Sequence, residues 1–393
     1  MQLVIKNGLI LQSNGTFLKG HIGIDQGKIA GLSYGAPPLY ANTPHVDAEG
    51  FLVCPGLIDT HIHGGNTFNF TIESNGWGKM EERLSPCGVT SILATGTSLP
   101  LDETLNFIDR AAALVKKNET NQVEILGIYM EGPYINKSKK GAHLEEYIRP
   151  ADKGEAAKLI ERAGGLVKVW ALAPEIKENL AIIETLAGAG IQVSLAHTEA
   201  NYDDAMVAFS AGANRLTHTF NAMPPLSQRY EGIISAAWQH GAFMELIADG
   251  QHVSPTIAKM FVAASDAGKI VLMSDNNEFS GLPDGYYLRN GRHLTLAGGQ
   301  LKTESGSLAG SVAGLNKCAL NLTRWGFPVE TALNMATANP ARSIGVFDRK
   351  GSLALGKDAD IVVLDGQFDA MLTVKGGRAV FRSDRFPAAV FGG

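Results

Sequence analysis

The stretch Asp59-Thr60-His61-Ile62-His63 follows an apolar run, residues 51–58, that predicts a buried strand. In a strand, residues i and i+2 point to the same face, so His61 and His63 project together. Two imidazoles on one face can hold one metal ion. Because an isolated HxH is a short match, two ordinary histidines at a strand end explain these residues alone equally well.

Further potential ligands lie at or near the ends of other apolar runs, and this recurrence favours a common site. They are Glu131, His197, His218 and Asp275. The runs, rich in β-branched residues, predict eight strands at residues 51–61, 88–96, 123–130, 167–172, 191–196, 215–220, 243–248 and 269–274. Segments of helical character separate them. In 102–115, Leu105, Ile108 and Ala112 recur at helical spacing, and Asp102 is a candidate cap.

Eight strand–helix units in succession predict a TIM (β/α)8 barrel over residues 54–345. A doubly wound open sheet is the alternative, but no glycine-rich nucleotide fingerprint follows the first strand. Both ends of the chain are instead typical of short strands and turns. We therefore expect a small β-sandwich domain formed from both termini, residues 1–53 and 346–393, with a hairpin in the Gly-rich insertion 281–310.

Composition narrows the function class. The formal net charge is −5 and no basic run is interleaved with aromatic residues, so we expect no nucleic-acid partner. The three cysteines are far apart and form no CxxC pair, which favours reduced thiols in a cytoplasmic protein. We expect no membrane partner, because no run approaches 18 apolar residues, and the N-terminal residues lack a signal-peptide pattern.

The C-terminal strand ends of a TIM barrel meet in one cup, and there the six candidate ligands would converge. Four imidazoles and two carboxylates suit zinc, ferrous iron, manganese or cobalt better than calcium. Six ligands exceed the three or four of one catalytic zinc, which favours two metals bridged by Glu131. Metal-bound water would then be the nucleophile, and Asp275 would take its proton and pass it to a leaving nitrogen.

At these residues the chain resembles the amidohydrolase superfamily and, within it, the N-acetylglucosamine-6-phosphate deacetylase family. The resemblance covers essentially the whole length. The superfamily signals are the HxH pair and the terminal Gly356-Lys357-Asp358-Ala359-Asp360. The more specific signals are Glu131-Gly132-Pro133-Tyr134, Gly141-Ala142-His143 and His218-Thr219-Phe220-Asn221-Ala222-Met223.

The resemblance implies a role for each matching residue. Glu131, His197 and His218 would hold the metal used throughout the family. Because the chain also has His61 and His63, the resemblance leaves open whether one or two ions are bound. Asp275 would be the general base and acid, and a metal ligand as well. His143 would polarise the acetyl carbonyl. The substrate-binding residues would be Ala142, His143, Asn221, Ala222, Arg229, His252, Leu308, Ala309 and Gly310. The resemblance also implies a homodimer.

Two loops depart from the family pattern. They are Gln228-Arg229-Tyr230-Glu231 and Asn276-Asn277-Glu278-Phe279, and both would face the substrate. The arginine of the family pattern is present as Arg229, although an exposed loop cation is an alternative interpretation of this residue. An acidic Glu278 would disfavour a nearby phosphate. These departures affect the predicted identity of the sugar more than the predicted type of reaction.

The sequence therefore predicts a metal-dependent hydrolase that removes the N-acetyl group of an N-acetylhexosamine 6-phosphate, most simply the glucosamine form. The galactosamine form is the nearest alternative. Dihydroorotase-like or hydantoinase-like amidohydrolases commonly bridge their metals with a modified lysine, where this chain has Glu131. A sugar-phosphate-binding protein without turnover is the alternative from a different class.

Overall fold

The computed structural model describes residues 2–35, 43–72, 76–118, 122–289, 292–304 and 306–387. Its centre is an eight-stranded parallel sheet in which consecutive barrel strands are neighbours. Hydrogen bonding joins the ends of the first and eighth strands, since the Asp275 N–H donates to the His61 carbonyl at 3.0 Å. The predicted TIM barrel is confirmed. Its strands are Leu57–Ile62, Val89–Gly96, Glu124–Glu131, Val167–Leu172, Gln192–Leu195, Ala213–Leu216, Phe243–Leu246 and Ile270–Leu272.

The barrel strands are apolar because both of their faces are covered. All eight residues of Val89–Gly96 are buried, and so are seven of the eight in Glu124–Glu131. Helices cover the outer faces of parallel sheets, so such strands lack the alternation of a half-exposed strand. The α-helices are Trp77–Leu84, Leu101–Val115, Lys153–Ala163, Lys177–Leu180, Ile183–Gly188, Tyr202–Ser210, Ile233–His240, Pro255–Ala264, Leu315–Arg324, Val329–Met335 and Ala338–Ser343.

Side-chain caps set several helix starts. Asp152 accepts a hydrogen bond from the Glu155 N–H at the start of Lys153–Ala163, which satisfies a backbone donor that the helix leaves free. The predicted cap at Asp102 is wrong, because Pro100 is the N-terminal flanking residue of Leu101–Val115. Asp102 lies in the first turn instead, where a carboxylate is favourable beside the helix dipole.

The apolar run that opens the barrel is two strands rather than the one predicted for 51–61. Leu52–Pro55 pairs antiparallel with Ile361–Leu364, and Leu57–Ile62 then begins the barrel. Gly56 separates them and lies against Thr90, where a Cβ would come within 2.2 Å of the threonine Oγ1. Only glycine lets the chain pass this close at the junction.

Strands from both ends of the chain form the second sheet, as the sequence predicts. In order across it they are Arg378–Arg382, Ala370–Lys375, Ile361–Leu364, Leu52–Pro55, Leu3–Leu11, Phe17–Asp25 and Lys28–Tyr34, and His45–Asp47 pairs with Leu3–Leu11. The sheet curls, since Ile29 N–H donates to the Lys357 carbonyl at 2.9 Å. It encloses its own apolar core, which includes Ile22 and Val363. The residue boundaries 1–53 with 346–393 and 54–345 stay a prediction.

The insertion is a three-stranded antiparallel sheet rather than the predicted hairpin. Its strands are Gly285–Arg289, Arg292–Ala297 and Gln300–Thr303. Leu294 and Leu301 pack with Phe279 and Ala309 in a separate apolar cluster, so the insertion fixes the wall beside residues 308–310. Among the residues described above, no helix has the length and apolar character needed to cross a membrane.

Candidate active site

A cleft of about 350 Å³ opens among the C-terminal ends of the barrel strands. Most of the predicted site residues line it. The lining residues are His63, Thr97, Glu131, Gly141, Ala142, His143, His197, His218, Asn221, Ala222, His252, Asp275, Asn277, Leu308, Ala309 and Gly310. Two predicted residues are absent from this lining. His61 lies fully buried beneath the floor of the cleft, and Arg229 lies outside it.

Glu131 is the centre of the site, and five imidazoles surround its carboxylate. Each presents its Nε2 atom. Oε1 of Glu131 lies 3.4 Å from His61, 3.2 Å from His197 and 3.3 Å from His218, and Oε2 lies 3.2 Å from His63 and 3.3 Å from His143. The carboxylate therefore lies between the five rings, of which three face Oε1 and two face Oε2.

Asp275 completes the HxH side of the cup. Its Oδ1 lies 3.3 Å from His63 Nε2 and 3.6 Å from His61 Nε2, and ligand atoms of these three residues lie within 4.8 Å of one another. On the other side, the Nε2 atoms of His197 and His218 are 3.0 Å apart. The structure thus brings together all six residues that the sequence predicts as ligands.

Three of these residues stand on strained backbone. His197, His218 and Asp275 have φ angles of 45°, 29° and 51°, in the left-handed region that costs a non-glycine residue about 1–3 kcal/mol. None of the three is a strand residue, because the strands end earlier, at Leu195, Leu216 and Leu272. The bounds predicted for the sixth strand, 215–220, were therefore wrong in including His218. The turn after each strand aims the side chain into the cup.

Hydrogen bonds on the far side of two rings set which nitrogen carries the proton. His197 Nδ1 lies 2.7 Å from the Lys139 carbonyl, and His61 Nδ1 lies 3.1 Å from a Glu245 carboxylate oxygen. Both partners only accept when Glu245 is ionised, so each Nδ1 carries the hydrogen. The Nε2 lone pairs of His61 and His197 therefore face the cup.

His143 has the opposite arrangement. The Ser98 backbone N–H donates to its Nδ1 at 3.1 Å. A backbone N–H can only donate, so the hydrogen of neutral His143 is on Nε2. Burial lowers the pKa of His143 to about 4, against the opposing effect of Glu131. His143 is thus a neutral hydrogen-bond donor that faces the cleft, and it is poorly suited to bind a metal through Nε2.

The donor set fits a divalent metal. The Nε2 atoms of His61 and His197 face oxygens of the Glu131 carboxylate, and this arrangement is repulsive unless a proton or a metal ion lies between them. His61 Nε2 is buried without a hydrogen-bond partner among the described residues. Burial opposes ionisation of Glu131, yet the charge of His61 and bonds from His143 lower its pKa well below the usual value. Imidazole and carboxylate ligands suit zinc, iron or manganese.

Other residues of the cleft lining offer polar groups for a substrate. His252 Nδ1 lies 2.7 Å from Asp249 Oδ2. Burial disfavours the charged ring, but the bond to Asp249 outweighs this and raises the pKa of His252. Ala222 has φ 50°, and Asn221 Nδ2 donates to the His218 carbonyl at 3.1 Å. The charged form of His252 is therefore favoured up to a higher pH than in an ordinary histidine.

The two departures from the family pattern lie in different positions. Arg229 is exposed, and its backbone N–H bonds Ser227 Oγ at 3.1 Å. Glu278 accepts a hydrogen bond from Asn69 Nδ2 at 2.8 Å and is not part of the cleft lining. Asn277 does line the cleft, and its Nδ2 donates to the Ala309 carbonyl at 2.5 Å. Asn277 thus holds the wall formed by residues 308–310.

The sequence analysis missed Glu245, Arg215 and Ser98. Glu245 and Arg215 are charged residues inside two predicted apolar strands, which was an available signal, because buried charges need partners. Ser98 acts through its backbone N–H, and no sequence pattern marks such a contact.

Comparison with known proteins places these residues in a family. Residues 52–384 match the model of the amidohydrolase family. The chain is 35% identical over 389 residues to an N-acetylglucosamine-6-phosphate deacetylase of Bacillus subtilis, covering 97% of this chain and 98% of the relative. It is 33% identical over 368 residues to an N-acetylgalactosamine-6-phosphate deacetylase of Escherichia coli O157:H7, covering 93% and 96%.

Solved structures give the same grouping. The N-acetylglucosamine-6-phosphate deacetylase of Thermotoga maritima superposes with a TM-score of 0.85 at 29% identity, over 97% of this chain and all of the other. A variant of the Mycobacterium smegmatis enzyme in complex with N-acetyl-D-glucosamine-6-phosphate gives 0.87 at 28% identity, over 96% and 99%. The chain therefore belongs to the amidohydrolase family and, within it, to the N-acetylglucosamine-6-phosphate deacetylases.

Proposed function

We propose that this chain hydrolyses the acetamide of N-acetylglucosamine 6-phosphate to acetate and glucosamine 6-phosphate. One observation carries the proposal: Glu131, Asp275 and four imidazoles converge at a cleft that also holds a neutral His143 donor and His252. This arrangement supplies a metal site, a base and a carbonyl donor for amide hydrolysis. The relatives that match over almost the whole chain are named for this reaction.

The residues divide the work of breaking the amide bond. A divalent cation, when bound, supplies Lewis acidity and an ionised water. Glu131, His197 and His218 would hold one ion, and His61, His63 and Asp275 would help to hold a second. His143 donates its Nε2–H to the acetyl oxygen as negative charge develops there. Asp275 accepts the proton of the attacking water and returns it to the sugar nitrogen as the C–N bond breaks.

The phosphate end of the substrate would lie toward Asn221, Ala222 and His252. Among the described residues that line the cleft there is no lysine or arginine, and we propose that the charged ring of His252 contacts the phosphate. Arg229 is exposed on a loop beside exposed Leu226 and Tyr230. We propose that the chain is a homodimer, which light scattering of the purified protein would test.

Acetate release tests the function. Purified protein, freed of metal and reloaded separately with zinc, iron or manganese, is assayed with N-acetylglucosamine 6-phosphate. We expect acetate and the amino-sugar phosphate in equal amounts, and no product after chelation. Binding without acetate release under any metal would reject the enzyme in favour of a sugar-phosphate-binding protein. Metal analysis of the protein as purified identifies the native ion.

The galactosamine form is the second candidate substrate. The Escherichia coli relative named for it matches almost as well as the glucosamine relatives. Side-by-side kcat/KM values for the two N-acetylhexosamine 6-phosphates, and for the unphosphorylated sugars, decide between them. We further propose a cytoplasmic location, which fits the three free, buried cysteines and a phosphorylated substrate. Fluorescence of a tagged copy in the native cell would test it.

A further inference from the structure

Glu245 is a fully buried carboxylate in the seventh barrel strand that the catalytic steps above do not use. It is 0% exposed, and one of its oxygens, Oε2, lies 3.1 Å from His61 Nδ1. The same oxygen accepts the His218 backbone N–H at 3.2 Å. Glu245 thus touches a candidate ligand of each half of the cup from behind.

Arg215 compensates the charge of Glu245. Its Nε donates to Glu245 Oε1 at 2.9 Å, and the side chain is only 1% exposed. The other two guanidinium nitrogens bond Ser343 Oγ at 2.8 Å and Thr60 Oγ1 at 2.9 Å. The arginine is therefore fixed at three points, and Thr60 is the chain neighbour of His61. A buried ion pair that is bonded in this way keeps its carboxylate ionised.

We propose that Glu245, held by Arg215, is a positioning residue that prepares His61 to bind a second divalent cation. An ionised Glu245 accepts the Nδ1–H of His61, so Nε2 faces the cup and is the nitrogen that gives up its proton when a metal ion binds. That Nε2 is the buried atom without a hydrogen-bond partner among the described residues, 3.6 Å from Asp275 Oδ1. The inference rests on the metal-dependent function proposed above and assigns the pair a task within it.

The two histidines of the HxH pair differ in their support. His61 is 0% exposed and bonded through Nδ1, whereas the Nδ1 of His63 has no hydrogen-bond partner among the described residues. Carboxylates that accept from a ligating histidine typically strengthen metal affinity by about 10–100-fold. Removing the Glu245 carboxylate should therefore weaken one ion specifically, while Glu131, His197 and His218 keep the other.

The test compares Glu245→Gln with the exposed-site control Glu184→Gln. Apoprotein is titrated with zinc by calorimetry, and bound metal is counted by elemental analysis. We expect two ions for the parent protein and the control. In Glu245→Gln we expect the second ion to bind about 10–100-fold more weakly, with the first unchanged. Equal affinity for both ions in a folded Glu245→Gln protein would overturn the proposal, and so would a single ion in the parent.

Glu245→Gln leaves Arg215 unpaired and risks unfolding, so a second variant is needed. Glu245→Asp retains the negative charge beside Arg215 but shortens the reach to His61. It should fold and should also lose affinity for the second ion. If it binds both ions as the parent does, the contact with His61 is irrelevant and the proposal fails.

A tautomer readout separates positioning from general damage. With 15N-labelled histidine, the parent protein should show an Nδ1-protonated, slowly exchanging imidazole that is missing in His61→Gln. The signal should shift or exchange rapidly in Glu245→Gln and stay unchanged in Glu184→Gln. A His61 that carries no hydrogen on Nδ1 in the parent protein would contradict the inference. Because none of these measurements uses the sugar, failure of the proposed substrate would be seen separately in the acetate assay.

Discussion

Two regions of the molecule gather buried carboxylates, and they neutralise them differently. In the catalytic cup, Glu131 and Asp275 face imidazoles, with no lysine or arginine among the described lining residues. At the far side of the molecule a second acidic cluster contains Glu124, Asp358 and Asp360. Lysine and arginine side chains neutralise this cluster.

Lys350 stands at the centre of that second cluster. Its Nζ lies 2.8 Å from Glu124, 3.3 Å from Asp358 and in contact with Asp360. Arg349 bonds Glu124 and Asp358 at 2.8 Å each, and Lys28 bonds Asp358 at 2.6 Å. Three carboxylates thus meet three cations, and the cluster is complete without a metal.

The difference shows what a metal site requires beyond nearby acids. Both clusters bring possible ligand atoms of three residues within 4.8 Å of one another. Only the cup leaves their charge without a fixed cation and surrounds it with neutral nitrogen donors. The second cluster instead joins the third barrel strand to the C-terminal part of the small domain, and its role is structural.

The largest effect is expected when the centre of the cup is changed. Glu131→Gln removes the carboxylate that five imidazoles face, so acetate release should fall by about a thousandfold or more because the metal-activated water is lost. Bound metal should fall with it, while the circular dichroism spectrum stays the same. Exposed Glu178→Gln is the matched control. Retained metal and activity in Glu131→Gln would remove the basis of the site.

Lys350→Met should break the second cluster without touching the chemistry. Removing one partner of a buried ion pair leaves uncompensated charge and costs about 3–5 kcal/mol in the free energy of unfolding. Urea denaturation would measure the free energy of unfolding of this variant. Exposed Lys158→Met is the control, and it should leave that free energy almost unchanged. The kcat per folded molecule should match that of the parent. A parallel loss of bound metal would show that the two regions are not independent.

His252 should give a smaller, pH-dependent effect on substrate binding. Because its pKa is raised by Asp249, the charged ring persists nearer to neutral pH and is lost as pH rises through that raised value. Above pH ~7 the substrate phosphate is already a dianion, with a second pKa of about 6. KM should therefore rise with pH in this range. His252→Gln should raise KM at pH 6.5 and make KM less dependent on pH. An unchanged pH dependence of KM in this variant would show that His252 does not bind the phosphate.

The smallest expected effect is on the pH dependence of stability in acid, to which the second cluster should contribute through Asp358. Although burial opposes it, bonding to Lys28 and the charge of Lys350 lower the pKa of Asp358 to about 2. Its unfolded pKa is about 3.9, so its contribution is complete above that value and is lost as pH falls toward 2. Asp358→Asn should unfold with a shallower pH dependence between these limits, measured by urea titration. An identical slope would contradict the assignment.

Much of the fold was predictable because it depends on local patterns. Continuous apolar runs between helical segments indicated the barrel. Strand ends were less accurate. His197 and His218 follow their strands and have positive φ angles. The spacing of side chains along the sequence does not reveal such a change in the sign of φ.

The sequence by itself determined the barrel and the candidate ligands. Parallel strands must be apolar on both faces, so a polar residue at a strand end is conspicuous, and histidine and carboxylate chemistry restricts the choice of metal. Only the tertiary structure decided how these groups are used. The proton positions on His61 and His143 depend on Glu245, 184 residues away from His61, and on a backbone N–H of Ser98. Contacts between such distant residues arise from the packing of strands, which leaves no periodic trace along the chain.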